Sequence, residues 1–555
     1  MSNQKRIGEL ASGLGLGEND VEPFGWYKGK FALGLESRLA DRPLAKYVNV
    51  TAINPTPLGE GKTVTSIGLS MGLNRIGKRA IVTLRQPSQG PLFGIKGGGA
   101  GGGKSKLFPA DEINLHFTGD MHAIGAATNL LAALIDNHLA RKATPIIDPA
   151  TVSWQRCVDI CDRGLRKVQT AVGDGEKWIT RTTAFDLTPA SEIMAILALA
   201  TSLSDFSRRI GRTLVGLTPQ GDPVFVDDLK VTGALTAILK DAVRPNLAQT
   251  LEGTPAIVHA GPFANIAHGN SSVLGDLIAT RLVDYVVTES GFGADCGAEK
   301  FFNIKCRLSG LRPDVEVVVC TVRALKLHSG QFAVKAGKPL PPELLAENLP
   351  ALRAGAVNLQ AHLEILRQFG VPAVIAVNRF PDDTDAELEE VRKIALSAGA
   401  ADVAVSTAFA DGGVGAEHLA EAVVKAAALP NNFQFLYSLE LPPEEKLRTI
   451  ATQVYGADGV DISPEATDQL ELYRRIGFGN LPVCIAKTQY SLSHDPKLIG
   501  RPEGFRIPIR QVRLAAGAGF LYALAGEIQT MPGLPSQPAA FRISVDADGT
   551  IHNLL

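Results

Sequence analysis

The sequence predicts an α/β fold: a large parallel-sheet domain, a second α/β domain and a smaller C-terminal domain. Three observations carry this expectation. Short β-branched runs at 47–53, 80–84, 315–321 and 371–377 alternate with longer helical patterns, and repeated βα units of that kind build parallel sheets with helices on their faces. A loop, Thr56-Pro57-Leu58-Gly59-Glu60-Gly61-Lys62-Thr63, joins the first of these strands to a helix. The chain has 555 residues, well beyond the size at which one hydrophobic core stops growing, so two to four domains are expected.

Taken in order, the apolar strand 47–53 runs into that loop and an amphipathic helix follows at 64–76. The next strand, 80–84, ends in Arg85 and a proline-bounded turn. Further helices are expected at 129–141, 191–210, 344–368 and 387–397, each followed within a few residues by Gly, Pro or a new strand signal. The proline, glycine and lysine stretch 336–342 reads as an exposed loop. Composition shifts again near Leu429-Pro430-Asn431-Asn432, before a helical segment at 442–455, a glycine-rich stretch and a strand-like tail. The expected division is 1–300 for a large N-terminal nucleotide-binding domain, 301–430 for a middle α/β domain and 431–555 for the C-terminal domain.

Composition narrows the function classes. Acids (57) nearly balance bases (55), so no global field holds nucleic acid or an anionic membrane, and any anion must be bound locally. The N-terminal segment has no apolar h-region, and no stretch reaches the roughly 18 apolar residues needed to span a bilayer. A cytoplasmic location is the expectation. Six scattered cysteines fit a reduced compartment. Cys157 and Cys161 stand four apart in a helical pattern with no His or second Cys pair nearby, and read as small residues packing on one helix face.

The loop at 56–63 carries the sharpest chemistry, and its strand-loop-helix setting makes the first domain P-loop NTPase-like. Glycines let backbone N–H groups approach phosphate oxygens, the helix N-terminus adds positive potential, Lys62 reaches the β and γ phosphates, and Thr63 ligates Mg²⁺. Thr56 stands where the common pattern has Gly. In a parallel sheet Arg85 borders the same crevice. Two readings are open for it: a guanidinium gripping a carboxylate or acyl phosphate, or a surface or ion-paired arginine. The glycine-rich run 93–106 is either a linker or a ligand-proximal loop. Asp120 is read as a cation ligand or a helix cap, and His116 and His122 as hydrogen-bonded structural histidines. From the residues alone, Phe292 and Phe380 are ordinary core phenylalanines.

These motifs, with segments at 249–255, 261–269, 291–295, 321–326, 378–381, 486–491 and 530–535, resemble the formate-tetrahydrofolate ligase (formyltetrahydrofolate synthetase) family in one continuous order. The resemblance implies a reaction without a covalent enzyme intermediate. Formate attacks the γ phosphate of MgATP, formyl phosphate forms, and N10 of tetrahydrofolate attacks the formyl carbon. The products are 10-formyltetrahydrofolate, ADP and phosphate. It further implies that Thr56, Pro57, Leu58, Gly59, Glu60, Gly61, Lys62 and Thr63 bind the nucleotide, that Lys62 and Arg85 act on the transferring and acyl phosphates, and that Thr63 holds Mg²⁺. Asp120 then matches a position near an activating monovalent cation (K⁺ or NH₄⁺), and Phe292, Phe380 and Phe409 match aromatic positions at the folate. A homotetramer working on small molecules, without nucleic acid or membrane partners, is implied as well. Phosphoryl transfer needs positioned positive charge, which Lys62, Mg²⁺ and Arg85 supply on three sides.

Several positions depart from the family pattern. Gln86 stands for a frequent Glu, Gly99 and Lys104 for Ala and Tyr, Asn270-Ser271 for Cys-Asn, Ser329 for Gly, and Phe409 for a pterin-stacking Trp. Two other readings stay open beside the ligase: a diverged P-loop ligase for another small carboxylate, and a non-enzymatic nucleotide switch.

Overall fold

A computed structural model describes residues 4–94, 98–172, 178–334, 339–526 and 528–554. The expected α/β class is what it shows. Seven parallel strands lie side by side in the order Pro255–Val258, Ala80–Leu84, Tyr285–Glu289, Lys46–Ala52, Val315–Cys320, Ala373–Asn378 and Asp402–Ser406. Asn246–Thr250, Gly29–Phe31 and Val21–Pro23 extend the same sheet antiparallel beyond the first of these. Val48, Val50, Val317 and Val319 are fully buried because helices cover both faces of the central strands; Asn49 and Glu316, equally buried among them, bond to each other, Asn49 Nδ2 donating to Glu316 Oε2 at 2.8 Å. Strands from either side of residue 300 belong to this one sheet.

The order places the site. From Lys46–Ala52 the chain steps two positions to Ala80–Leu84, fills the gap later with Tyr285–Glu289, and then builds outward on the opposite side. Lys46–Ala52 therefore sits at the switch point, where connections leave in both directions and open a crevice at the carboxyl ends of the strands. Two glycines of the helix Lys62–Arg75 receive the segment that follows the last strand of the sheet. A Cβ at Gly68 would stand 2.5 Å from Ala408 Cβ, and one at Gly72 would stand 2.8 Å from the Ala416 carbonyl. Their absence lets the segment after Asp402–Ser406 lie directly on the helix, which positions Phe409 near the crevice.

Near the C-terminus a second sheet forms in the order Val460–Ile462, Ile507–Ala515, Phe520–Ala525, Val483–Ala486, with helices Pro443–Gln453 and Pro464–Arg475. No described helix is long and apolar enough to cross a membrane.

Local expectations were modified where capping residues intervene. The helix expected at 191–210 is two, Glu192–Leu199 and Leu203–Gly211, since the Ser202 hydroxyl accepts from Asp205 N at 3.1 Å and starts a new helix. The one expected at 344–368 is three, Pro342–Leu345, Leu349–Gly355 and Val357–Gln368, with Asn348 capping the second through Ala351 N at 2.9 Å. The helix expected at 129–141 already begins at Asp120 and runs Asp120–Ala140. Cys157 is not helical. It lies in the strand Arg156–Val158, where the Asn129 side chain accepts from its N–H at 2.9 Å and donates to its carbonyl at 3.0 Å. Both Cys157 and Cys161 are buried free thiols. Residues 95–97 of the glycine-rich run and 335–338 before the proline-rich loop lie outside the described residues.

Candidate active site

The phosphate loop is held in shape by its own side chains. Glu60 folds back so that its Oε1 accepts from Thr56 N at 2.7 Å and from the Thr56 hydroxyl at 3.0 Å, while that hydroxyl accepts from Leu58 N at 3.3 Å. This explains a threonine where the common pattern has glycine: the side chain closes the turn. Gly61, immediately before Lys62–Arg75, has φ +81°, a left-handed conformation that glycine adopts without steric cost. It turns backbone N–H groups toward the space above the helix N-terminus, the arrangement that binds phosphate. Burial raises the Glu60 carboxyl above its ordinary range, with Lys62 as the largest opposing influence.

Two cations stand close together beside the loop. The Lys62 ammonium and the Arg85 guanidinium form no ion pair among the described residues, and Arg85 Nη1 donates only to the Pro262 carbonyl at 3.1 Å. Desolvation lowers the pKa of both, and for Lys62 the Glu60 and Glu289 carboxylates partly offset it. Glu289 ends the strand beside the phosphate-loop strand and accepts from the Thr63 hydroxyl at 2.9 Å. A threonine hydroxyl and a carboxylate meeting at the foot of a phosphate loop are the donor set that holds Mg²⁺ in this type of site.

Asn378, at the end of Ala373–Asn378, braces the loop from the other side. Its Nδ2 donates to the Glu60 carbonyl at 2.7 Å and its Oδ1 accepts from the Thr65 hydroxyl at 3.0 Å. Both ends of the amide are thus committed to the loop, unlike a base-recognition asparagine in a nucleotide switch.

The aromatic positions divide. Phe380 and Phe409 follow neighbouring strands, with Asn378 opposite Ser406 and Arg379 N donating to the Ser406 carbonyl at 3.0 Å. Phe380 is partly buried, and the Arg323 guanidinium carbon lies 3.4 Å from its ring centroid. Phe409 is 62% exposed, with Gly102 and Gly103 against its ring and Lys104 N donating to its carbonyl at 2.8 Å. The departures at 104 and 409 are therefore in contact. Phe292 stands on the other side of the phosphate loop, past Glu289, three strand spacings or about 14 Å from the strand that leads to Phe380. Its φ of +64° is strained for a non-glycine residue by about 1–2 kcal/mol.

Asp120 neither caps a helix through its side chain nor stands open. It is buried, with Oδ1 2.7 Å from Lys30 Nζ and Oδ2 accepting from Asn246 Nδ2 at 2.7 Å. The carboxylate already carries an ammonium ion of the chain's own. His116 and His122, expected as hydrogen-bonded histidines, bond to each other, Nδ1 to Nε2 at 2.7 Å.

At the base of the loop, Asn54 gathers distant parts of the chain. Its Nδ2 donates to Asp295 Oδ1 at 3.1 Å and to the Gln489 carbonyl at 3.2 Å, and its Oδ1 accepts from Asn358 Nδ2 at 2.9 Å. His328 Nε2 donates to its carbonyl at 2.9 Å. Lys487 Nζ lies 2.7 Å from Asp295 Oδ2, both fully buried, and Gln489 Oε1 accepts from Asn265 Nδ2 at 3.1 Å in the segment that also covers Arg85. The C-terminal unit is thereby tied to the phosphate loop.

Glu289, Asn378, Arg323 and Asn54 were not singled out as site residues by the sequence. For Glu289 a signal existed, a carboxylate closing the apolar run Tyr285–Glu289. The other three depend on strand order.

Comparison with known proteins agrees with this architecture. A family model described as "Formate--tetrahydrofolate ligase" matches residues 1–555. A formate-tetrahydrofolate ligase of Roseiflexus sp. (strain RS-1) is 57% identical over 543 residues, covering 98% of this chain and 96% of the relative. Those of Saccharopolyspora erythraea and Desulforamulus reducens are 55% and 54% identical, each again covering 98% of this chain and 96% of the relative. With the match spanning the phosphate loop, Arg85 and the C-terminal segments alike, the chain belongs to the formate-tetrahydrofolate ligase family.

Proposed function

We propose that this protein ligates formate to tetrahydrofolate at the expense of ATP, through formyl phosphate. The observation that carries the residue assignments is the pair of unpartnered cations, Lys62 and Arg85, on either side of the Thr63–Glu289 contact. Cations desolvated without an ion-pair contact of their own are stabilised when a polyanion arrives. In this reading the loop N–H groups and Lys62 orient the γ phosphate, and Thr63 with Glu289 would hold the magnesium ion that travels with ATP. Arg85 grips formate and then the acyl phosphate bidentately, so that little beyond positioning and charge is asked of the protein. Phe380 and Phe409 offer π-faces to the pterin of tetrahydrofolate.

The three stretches then divide the labour. Residues 1–300 supply the loop, Arg85, Glu289 and Phe292, 301–430 supply Asn378, Phe380 and Phe409, and 431–555 support the loop through Lys487 and Gln489. Phe292 is retained as a third aromatic for the folate, reached past Glu289. A monovalent cation, potassium or ammonium, belongs to the proposal as an activator; at Asp120 it competes with the Lys30 ammonium. A cytoplasmic homotetramer completes the reading.

The test is direct. With formate, MgATP and tetrahydrofolate the purified protein forms 10-formyltetrahydrofolate, and Lys62→Ala and Arg85→Ala each abolish it. Absence of product at millimolar formate, or equal turnover of acetate and formate, overturns the assignment.

A further inference from the structure

Arg323 has geometry that the reaction as described leaves unused. It lies on the helix Val322–His328, which begins at the carboxyl end of Val315–Cys320. That strand separates the phosphate-loop strand from the one leading to Phe380. At 3.4 Å from guanidinium carbon to ring centroid, the contact is face to face, because only a parallel stack brings the carbon so close to the centre of the ring. The guanidinium forms no ion pair among the described residues, although Asp383, Glu60 and Asp382 all act on it electrostatically. Its Nε is buried without a hydrogen-bond partner. Half-burying an arginine and leaving a donor orphaned is costly, so the stack on Phe380 is what the side chain is placed for.

The Phe380 loop is rigid on its other flank. Phe380 N donates to Asp383 Oδ2 at 2.8 Å and Asp383 N donates to the Phe380 carbonyl at 3.0 Å. With its backbone locked and one face covered by a cation, the ring has a single remaining face. A cation on one face of a benzene ring draws π density toward itself and leaves the opposite face poorer in electrons. Such a face favours stacking of an electron-rich, amino-substituted ring, which the pyrimidine of a tetrahydropterin is.

We propose that Arg323 is a positioning residue for tetrahydrofolate, acting through Phe380: it fixes the ring and presents its outer face to the pterin. The inference rests on the ligase reading above. It separates two arginines by substrate, Arg85 for the one-carbon acid and its phosphate, Arg323 for the folate platform. Removing the guanidinium therefore weakens folate binding without touching the nucleotide.

Steady-state kinetics of Arg323→Met, Arg323→Lys, Phe380→Leu and the double variant Arg323→Met/Phe380→Leu test this, with ADP binding by calorimetry as a measure of the intact phosphate site. The expected result for Arg323→Met is a rise in KM for tetrahydrofolate of about 5- to 30-fold, with KM for MgATP and the ADP affinity within twofold of wild type. Arg323→Lys recovers part of the loss, since an ammonium still lies over the ring. In the Phe380→Leu background Arg323→Met adds less than twofold, because the residue it acts through is gone. A merely structural arginine moves both substrates together. An equal or larger rise in KM for MgATP, or full additivity with Phe380→Leu, overturns the inference while the ligase reading stands. If Arg323→Met loses ADP binding altogether, Arg323→Lys carries the test on the same criteria. Wild-type protein that forms no product in this assay overturns the ligase reading and the inference together.

Discussion

Asn378→Ala isolates the brace on the phosphate loop. The substitution deletes the donor to the Glu60 carbonyl at 2.7 Å and the acceptor for the Thr65 hydroxyl at 3.0 Å. Thr65 keeps a partner, since its hydroxyl also donates to the Gly61 carbonyl at 3.1 Å. The Glu60 carbonyl loses its side-chain donor inside the turn that Gly61 closes. The Thr65 hydroxyl has a single proton, which stays with Gly61, so the net loss is the one bond to the Glu60 carbonyl, about 1 kcal/mol. If that cost falls on the binding-competent loop, MgATP pays it on binding, and KM for MgATP rises about fivefold. Phe380 is tethered separately by Asp383, so KM for tetrahydrofolate changes far less. The assay is KM for each substrate at saturation of the other two, with ADP calorimetry and the thermal midpoint of the free protein. A KM for MgATP within twofold of wild type, accompanied by a lowered Tm, refutes the reasoning: the amide then serves global stability and the Thr56–Glu60 bonds alone shape the loop.

Other perturbations separate the remaining parts. Phe409→Ala removes an exposed ring whose main contacts are glycines, and raises KM for tetrahydrofolate about tenfold with Tm and KM for MgATP unchanged; a parallel change in both KM values would falsify its assignment to folate. Glu192 accepts from Gly517 N at 2.8 Å, and burial raises its carboxyl from 4.5 to about 7. A raised carboxyl means the folded state keeps a proton that the unfolded chain releases, so its contribution is complete below pH 4.5 and lost as pH rises through about 7. Thermal melts across this window then show wild type losing up to about 3 kcal/mol more than Glu192→Gln, and identical pH profiles contradict this. Lys487→Met strands the buried Asp295 carboxylate and costs about 3–5 kcal/mol in Tm-derived stability, whereas Lys487→Met/Asp295→Leu costs less. A double variant as unstable as the sum of its single changes excludes the pair as the cause.

Features carried by adjacent residues were legible in the sequence. The loop at 56–63 is one uninterrupted motif, and Arg85 follows its strand directly, so both could be named from local pattern. Glu289 and Asn378 reach the loop from residues more than 200 positions away, Arg323 reaches Phe380 from the end of the adjacent strand, and no local signal encodes which strands will be neighbours. Cys157 shows the same limit at short range: a four-residue spacing suits a helix, but the segment pairs as a strand with Phe185–Leu187, and Asn129 satisfies its free edge. The helix breaks at Ser202 and Asn348 were readable, because both are good capping residues, yet the apolar pattern continuing past them masked the stop. Lys30 on Asp120 was hidden for a different reason, since an acidic residue in a polar run gives no sign of which cation will reach it.

The bonds converging on Asn54 also set a timetable for synthesis. Asn54 leaves the ribosome early, but its partners Asn358 and Gln489, and Gly500, whose carbonyl accepts from Asn358 at 2.7 Å, emerge much later. At ~5–20 residues per second the wait from Asn54 to Gly500 is roughly 20–90 s. Throughout it the loop's base lacks the groups that hold it, and nucleotide has no finished cradle to stabilise. A nascent chain stalled before Gln489 is thus a client for chaperones and not a partial enzyme.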